Sequence, residues 1–318
     1  MSMKILVNDR ISQSGIQALQ NAGFEVNTTK VAQEQLINYI NKNAIEILLV
    51  RSATEVNKEV IENCPTLKII GRAGVGMDNI DVEYAVQKGI KVFNTPEASA
   101  ASVAELVFAH LYSGVRFVHD SNRNMPLEGD SKFNMLKKAY SKGLELKGKT
   151  LGIVGFGIIG QATAKIALGI GMKVMYHDHH REETTVTVPF FDGQAVSFVL
   201  KNNSMEELFK SADFFSMHVP AQKQYAIGKK EFELMKDGVG IINTARGGVI
   251  DEVALVDALE NGKVLFAGLD VYESEPSPEI RILMHPQISL TPHIGGSTIE
   301  AQERIALELA NLIIDHSK

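Results

Sequence analysis

Three segments carry residue types able to handle a carboxylate and a proton. Arg246 stands in Asn243-Thr244-Ala245-Arg246-Gly247-Gly248, directly after an apolar run. Its guanidinium is a planar fork that suits a carboxylate. Leu290-Thr291-Pro292-His293-Ile294-Gly295-Gly296 sets a histidine between residue types that fix a loop backbone. An imidazole is the side chain that most readily exchanges a proton near neutral pH. Between them, Gly268-Leu269-Asp270-Val271-Tyr272-Glu273-Ser274-Glu275-Pro276 supplies three acids. Each segment alone has an ordinary reading: a turn arginine, solvated loop charges, a structural histidine. All three follow short apolar runs, which places them at successive strand ends, where open α/β sheets bind ligands. Hydride transfer at a 2-hydroxy acid needs such a set: a cation for the carboxylate, an acid/base for the hydroxyl proton, and a group to tune it.

A cofactor signal lies upstream. Leu151-Gly152-Ile153-Val154 reads as a buried strand and runs into Gly155-Phe156-Gly157-Ile158-Ile159-Gly160, then an apolar helix. This is G-x-G-x-x-G in the strand–turn–helix setting that dinucleotide binding requires. Gly155 permits the tight turn, Gly157 lets backbone approach a pyrophosphate, and Gly160 lets helix and strand pack closely. The N–H groups of Ile158 and Ile159 open a helix whose positive end favours phosphate. A second strand ends at Asp178, near the separation of about 20 residues at which an acid accepts hydrogen bonds from the adenine ribose. A carboxylate there repels a 2′-phosphate, so NAD is expected, with Arg181 keeping NADP as an alternative. His177, His179 and His180 flank Asp178 and are not expected to converge on a metal.

The elements that must position these residues follow from short β-branched runs alternating with helical patterns. Strands are expected at Lys4–Val7, Ile45–Val50, Leu67–Ile70 and Lys91–Phe93, with helices near Gln13–Asn21, Gln33–Asn43 and Asn57–Asn63. The pattern changes at Ser99: one long, mostly apolar helix is expected to Arg123, then polar, irregular chain over 124–148. Alternation restarts with strands at Thr150–Val154, Lys173–His177, Asp213–Met217, Val239–Asn243, Val264–Leu269 and Ile288–Thr291. Asp251 reads as an N-cap and Gly262 as a helix stop. Arg181–Ser197, rich in Thr, Val and Phe, reads as a small inserted hairpin. The chain closes with a helix from about 298 to 315, opened by Ser297 and Glu300 at capping-box spacing. Strand–helix alternation of this kind implies parallel sheets covered on both faces.

Length and composition set outer bounds. At 318 residues, two domains are expected. Hydrophobic residues at 45% and charged residues at 22% are ordinary for a globular chain. A net charge of −6 argues against a nucleic-acid footprint. Cys64 is the only cysteine, so no intrachain disulfide forms. No apolar run reaches the roughly 18 residues of a membrane span, and the N-terminus lacks a signal-peptide layout. A cytoplasmic protein without membrane or nucleic-acid partners is expected.

Together these segments resemble the D-isomer-specific 2-hydroxyacid dehydrogenases, most closely their phosphoglycerate-oxidising members. The resemblance runs through Val50-Arg51-Ser52-Ala53-Thr54, Gly71-Arg72-Ala73-Gly74-Val75-Gly76-Met77-Asp78-Asn79-Ile80-Asp81, Asn94-Thr95-Pro96, the glycine-rich turn, Thr244–Gly248, Leu269–Pro276 and Thr291–Gly296. It implies two doubly wound, Rossmann-like parallel-sheet domains with a cleft between them. The substrate-binding domain would use both chain ends, 1–98 and 294–318. The NAD-binding domain would be 99–293, with most of a homodimer contact in 99–149. By this resemblance Arg246 binds and polarises the substrate, and His293 is the general acid/base. Glu275 pairs with His293 and so favours the imidazolium form. Thr244, Ala245, Asp270 and Gly296 would line the cofactor. Gly74, Val75 and Gly76 would cradle the substrate carboxylate with backbone N–H groups, beside Arg51 and Ser52.

The implied reaction is NAD-dependent oxidation of 3-phosphoglycerate to 3-phosphohydroxypyruvate. The alternatives are a glyoxylate or hydroxypyruvate reductase, which uses the same triad without a phosphate site, and an NADH-sensing transcriptional co-regulator on the same fold. Relatives carry a Trp and basic residues in the arm. Here Phe133 replaces the Trp, and Lys137 or Lys138 are the cations available to a phosphate, unless they are simply solvated surface.

Overall fold

The computed structural model describes Ser2–Ser317 apart from Gln222. Met1 and Lys318, the outermost residues of the expected substrate domain, lie outside the described residues. The chain forms two compact units, Met1–Ala100 with Gly296–Lys318, and Ala101–Gly295. Both are α/β, and each is built on a parallel, doubly wound sheet.

The first unit carries β1 (Lys4–Val7), α1 (Gln13–Asn21), β2 (Glu25–Asn27), α2 (Leu36–Asn43), β3 (Ile47–Val50), α3 (Lys58–Asn63), β4 (Ile69–Arg72), α4 (Val82–Gln87) and β5 (Lys91–Phe93). The strand order is β2-β1-β3-β4-β5, all parallel. The central strand β3 is buried along its whole length, as an apolar run in a sheet covered on both faces must be.

The second unit carries α5 (Ala100–Val115), α6 (Val118–Glu128), α7 (Phe133–Ala139), β6 (Thr150–Val154), α8 (Ile158–Gly169), β7 (Lys173–His177), β8 (Glu183–Pro189), β9 (Ala195–Lys201), α9 (Met205–Ser211), β10 (Phe214–Met217), α10 (Lys229–Leu234), β11 (Val239–Asn243), α11 (Glu252–Glu260), β12 (Val264–Leu269), α12 (Ile280–Met284) and β13 (Ile288–Leu290). Its six-stranded sheet runs β13-β12-β11-β10-β6-β7. The order reverses between β6 and β10, and a ligand crevice opens at such a switch point. The β8–β9 pair is an antiparallel hairpin. It buries Val186 and Val188 and spans more of the chain than the Arg181–Ser197 expected.

The last helix, α13 (Ile299–Ser317), returns to the first unit. It packs on α1, where a Cβ on Gly15 would lie 2.6 Å from the Ala306 carbonyl oxygen. Its first turn is capped by Thr298 Oγ1, which accepts the Ala301 N–H at 3.2 Å. The expected Ser297–Glu300 box is therefore replaced by a single cap one residue later, since Ala301 has no polar side chain to complete a reciprocal pair. Asp251 caps α11 as expected, accepting from the Val253 and Ala254 N–H groups, and Gly262 follows with φ 77°.

Two further expectations are corrected. The single helix over 99–123 is two helices, broken where Phe117 takes φ 56°, and 124–148 contains the rest of α6 and all of α7. The apolar face of α5 is core: Val107, Phe108, Leu111 and Val115 are buried within their own unit with Phe156, Tyr176, Phe214 and Phe266. Among the described residues no helix is long and apolar enough to cross a membrane.

Candidate active site

The glycine-rich turn follows β6, at the switch point. Gly155 has φ 89°, and a Cβ there would lie 2.5 Å from the His218 carbonyl oxygen at the end of β10. A Cβ on Gly160 would lie 2.3 Å from the Gly155 carbonyl oxygen, so helix and turn touch through backbone. Gly157 differs: nothing lies within 4 Å of where its Cβ would stand. The turn is thus closed on the protein side and open over Gly157, the N-cap of α8. Ile158 is 42% exposed at the first position of that helix.

Asp178 ends β7. Its Oδ2 accepts the Phe156 N–H at 2.7 Å and its Oδ1 the His180 N–H at 2.8 Å. Burial pushes the carboxyl up, but the His180 and Phe156 N–H groups outweigh it and hold it below the usual carboxylate range. Asp178 is therefore charged and tied to the glycine turn, with lone pairs left for a diol. The His177 ring turns away to the Asn203 carbonyl oxygen. No group of metal-binding side chains converges among the described residues.

Arg246 follows β11. Asn243 shapes its loop: the Asn243 Oδ1 accepts the Ala245 N–H at 3.1 Å, and its Nδ2 donates to the Arg246 carbonyl at 2.9 Å. The half-buried guanidinium donates through Nη1 to the Ala245 carbonyl. Gly247 is a steric necessity, since a Cβ there would lie 1.8 Å from the Tyr272 carbonyl oxygen. That contact seats the arginine loop against the loop bearing Glu275. Thr244 is 8% exposed, and its Oγ1 is buried with no hydrogen-bond partner. An orphaned hydroxyl costs free energy unless something completes it.

The acids of the β12 loop divide three ways. Glu273 is structural: it accepts the Glu252 N–H at 3.0 Å while Glu252 accepts the Glu273 N–H at 2.9 Å. Glu275 accepts the Tyr272 N–H on Oε1 at 3.0 Å and faces His293 Nδ1 with Oε2 at 2.8 Å. Asp270, 1% exposed, is spent on the histidine loop. Its Oδ1 accepts from Thr291 Oγ1 at 2.6 Å and from the Ile294 N–H at 2.8 Å, and its Oδ2 takes the Gly295 N–H at 2.8 Å. Burial holds the Asp270 carboxyl above the usual carboxylate range, and these donors and His293 offset only part of that rise.

His293 itself takes φ 54°, a left-handed conformation uncommon outside glycine. Its N–H donates to the Asp270 carbonyl at 2.8 Å. Its imidazole is about half exposed. With Nδ1 on Glu275, Nε2 is the nitrogen facing outward. Glu275, His293 and the Arg246 loop are thus brought together within one unit.

The remaining expected residues lie in the other unit. Asp9, which sequence reasoning missed, is buried and holds the Arg51–Thr54 loop. It accepts the Arg51 N–H at 2.7 Å, the Thr54 N–H at 3.1 Å and the Thr54 hydroxyl at 2.9 Å. Burial pushes its carboxyl up, but Lys30 and these donors hold it below the usual range. Gly74 takes φ 145°, and Asn94 Nδ2 donates to the Val75 carbonyl at 2.7 Å. Gly296 also belongs to this unit, and its carbonyl accepts from Gln302.

A parallel sheet with a phosphate-type turn at its switch point, an acid on the next strand, and an Arg and a Glu–His pair at later strand ends defines a nucleotide-dependent oxidoreductase. Residues 108–295 match the family described as D-isomer specific 2-hydroxyacid dehydrogenase, NAD binding domain. A hydroxypyruvate reductase of Thermotoga maritima is 43% identical over 98% of this chain and 97% of its own length. A D-3-phosphoglycerate dehydrogenase of Methanocaldococcus jannaschii is 39% identical, and there the chain spans 57% of the relative's length. A crystal structure of NAD+-bound 3-phosphoglycerate dehydrogenase from Entamoeba histolytica is 29% identical with a TM-score of 0.77, covering all of this chain and 96% of that one. The chain belongs to the D-isomer-specific 2-hydroxyacid dehydrogenases, and its cofactor is NAD. Its residues fit the dinucleotide: open space over Gly157, the free end of α8, the charged Asp178 and the orphaned Thr244 hydroxyl.

Proposed function

We propose that this NAD-dependent D-2-hydroxyacid dehydrogenase oxidises 3-phosphoglycerate to 3-phosphohydroxypyruvate, with Arg246, Glu275 and His293 as its catalytic residues. The observation that carries the reaction type is the 2.8 Å contact between His293 Nδ1 and Glu275 Oε2, with Nε2 left to face a substrate. Bound NAD would supply the acceptor for the hydride at the substrate's C2. His293 Nε2 takes the hydroxyl proton as the carbonyl forms and returns it in reduction. Glu275 holds the ring so that Nδ1 carries a proton and Nε2 exchanges one. The Arg246 guanidinium binds the carboxylate and draws electron density from the neighbouring oxygen. In the first unit, Arg51, Ser52 and the N–H groups of Val75 and Gly76 are the proposed substrate-binding groups. Gly155, Gly157, Ile158, Ile159 and Gly160 would hold the pyrophosphate, and Asp178 the adenine ribose. Thr244, Ala245, Asp270 and Gly296 would line the nicotinamide end.

Phosphate recognition is supported by the several phosphoglycerate dehydrogenases among the relatives and by the exposed Lys137 and Lys138 on α7. Leu127, Phe133 and Met135 are also exposed on α6 and α7, which supports a homodimer that would cover this arm. The second reading, a hydroxypyruvate reductase, is favoured by the full-length match to the Thermotoga maritima protein. Initial rates of NADH oxidation with phosphohydroxypyruvate, hydroxypyruvate and glyoxylate distinguish them. The proposal expects phosphohydroxypyruvate to exceed the others by at least about tenfold, a difference worth roughly 1.4 kcal/mol. Equal rates, or preference for hydroxypyruvate, would remove the phosphate from the account.

A further inference from the structure

Behind the His293 loop runs a buried chain of hydrogen bonds that begins at His110. This histidine lies on α5 and is 2% exposed. Its Nδ1 is 2.9 Å from Ser289 Oγ and its Nε2 is 3.0 Å from Thr291 Oγ1. Thr291 in turn reaches Asp270 Oδ1 at 2.6 Å. The direction of each bond can be deduced. A hydroxyl has one proton to give, and Asp270, already taking the Ile294 and Gly295 N–H groups, is an acceptor. The Thr291 proton is therefore committed to Asp270, and His110 Nε2 must be the donor to Thr291 Oγ1. Burial, helped by the nearby His119, lowers His110 to about 4, so the imidazole is neutral. With its proton on Nε2, Nδ1 is bare and receives the Ser289 hydroxyl. The order is Ser289 to His110 to Thr291 to Asp270, with Ser113 Oγ at 3.5 Å from Ser289 Oγ as the longer contact beyond it.

We propose that His110 is a positioning residue for the acid/base: through Thr291 it fixes the Asp270 carboxylate, which holds residues 293–295 in the turn that presents His293. The proposal rests on the reading of His293 as the acid/base. A left-handed non-glycine residue persists only where its surroundings over-determine it. Here Asp270 does so through its carbonyl and both carboxylate oxygens. Left on its own, that carboxylate could rotate. The bond from His110 to Thr291 removes the freedom. A space-filling role would require only the shape of the ring, whereas this role requires a donor at the Nε2 position.

The test is a set of variants in the full-length, NAD-bound enzyme. His110→Gln keeps an N–H donor near the Nε2 position, His110→Leu keeps bulk alone, and Thr291→Val breaks the next bond. Expected for His110→Leu and Thr291→Val is a kcat lowered about tenfold with a smaller change in the KM for NAD, a small misplacement of the reacting group being sufficient for that. Amide exchange at Ile294 and Gly295 should rise about as much. His110→Gln should stay within about twofold of the native kcat. The double variant should be no worse than the poorer single one, as members of one chain are not additive. Native exchange at Ile294 and Gly295 in His110→Leu would overturn the proposal. So would losses that multiply in the double variant, or a His110→Gln as impaired as His110→Leu. If His293→Ala kept its turnover, the acid/base reading would fall, while amide exchange would still decide whether His110 orders the loop.

Discussion

Replacing Glu275 by glutamine tests the tautomer argument at its narrowest point. The native carboxylate accepts twice, from the Tyr272 N–H at 3.0 Å and from His293 Nδ1 at 2.8 Å. Glutamine has the same size but a single acceptor atom. If its oxygen keeps the Tyr272 N–H, its NH2 faces Nδ1 and admits only a bare nitrogen there. The remaining proton then sits on Nε2, and the ring cannot accept one from the substrate. A hydrogen bond to a charged group contributes about 1.5–3 kcal/mol. Both side chains are partly exposed, at 52% for His293 and 37% for Glu275, so water screens the pair and the lower end applies. At about 1.4 kcal/mol per factor of ten, kcat should fall about tenfold, and no more than about a hundredfold. The KM for NAD should not move, because Glu275 lies on the acid/base loop and not on the glycine turn. Stopped-flow and steady-state rates in both directions read this out. A kcat within about twofold of native, or a loss that appears entirely in the KM for NAD, would refute the reasoning.

Two other outcomes follow from particular contacts. Gly157→Val should weaken NAD binding about tenfold or more while leaving the melting temperature unchanged, since the protein has nothing within 4 Å of that Cβ; Gly160→Val, directed at the Gly155 carbonyl oxygen at 2.3 Å, should fail to fold stably. Acid should also destabilise the second unit. Burial lowers His110 to about 4 and His218 to about 3, so the unfolded chain takes up their protons first. Their contribution is complete above the unfolded value near 6.5 and is lost as pH falls toward those folded values. At pH 5 this amounts to about 2 kcal/mol for each histidine. Calorimetric melting at pH 7 and pH 5 checks it, and an unchanged melting temperature would contradict it.

Much of the site was readable because its chemistry is tied to local pattern. Strand, glycines and helix are contiguous from Leu151 to Gly160, and β6, β7, β11 and β12 begin and end where the β-branched runs do. Arg246 and His293 stand beside glycines that mark the loops. Unreadable were the features made by tertiary contact. His110 is one polar residue on a helix of high apolar content, and nothing in its neighbours announces Thr291 181 residues away. Asp270 reads as a loop charge, though its partners lie on the next loop. Asp9 and the break at Phe117 are similar: the first depends on a loop 42 residues on, the second on a backbone angle that phenylalanine does not favour. The short strand β2 and helices α4, α9, α10 and α12 were missed because three to seven residues carry too little periodicity to register.

The most direct measurement is His293→Ala, assayed for turnover and, separately, for NAD binding by calorimetry. Turnover should fall by at least about a thousandfold, within the range a positioned acid/base supplies, while the Kd for NAD stays within about twofold. Substantial residual turnover, or loss of NAD binding together with activity, would contradict the assignment of His293 as the group that moves the proton.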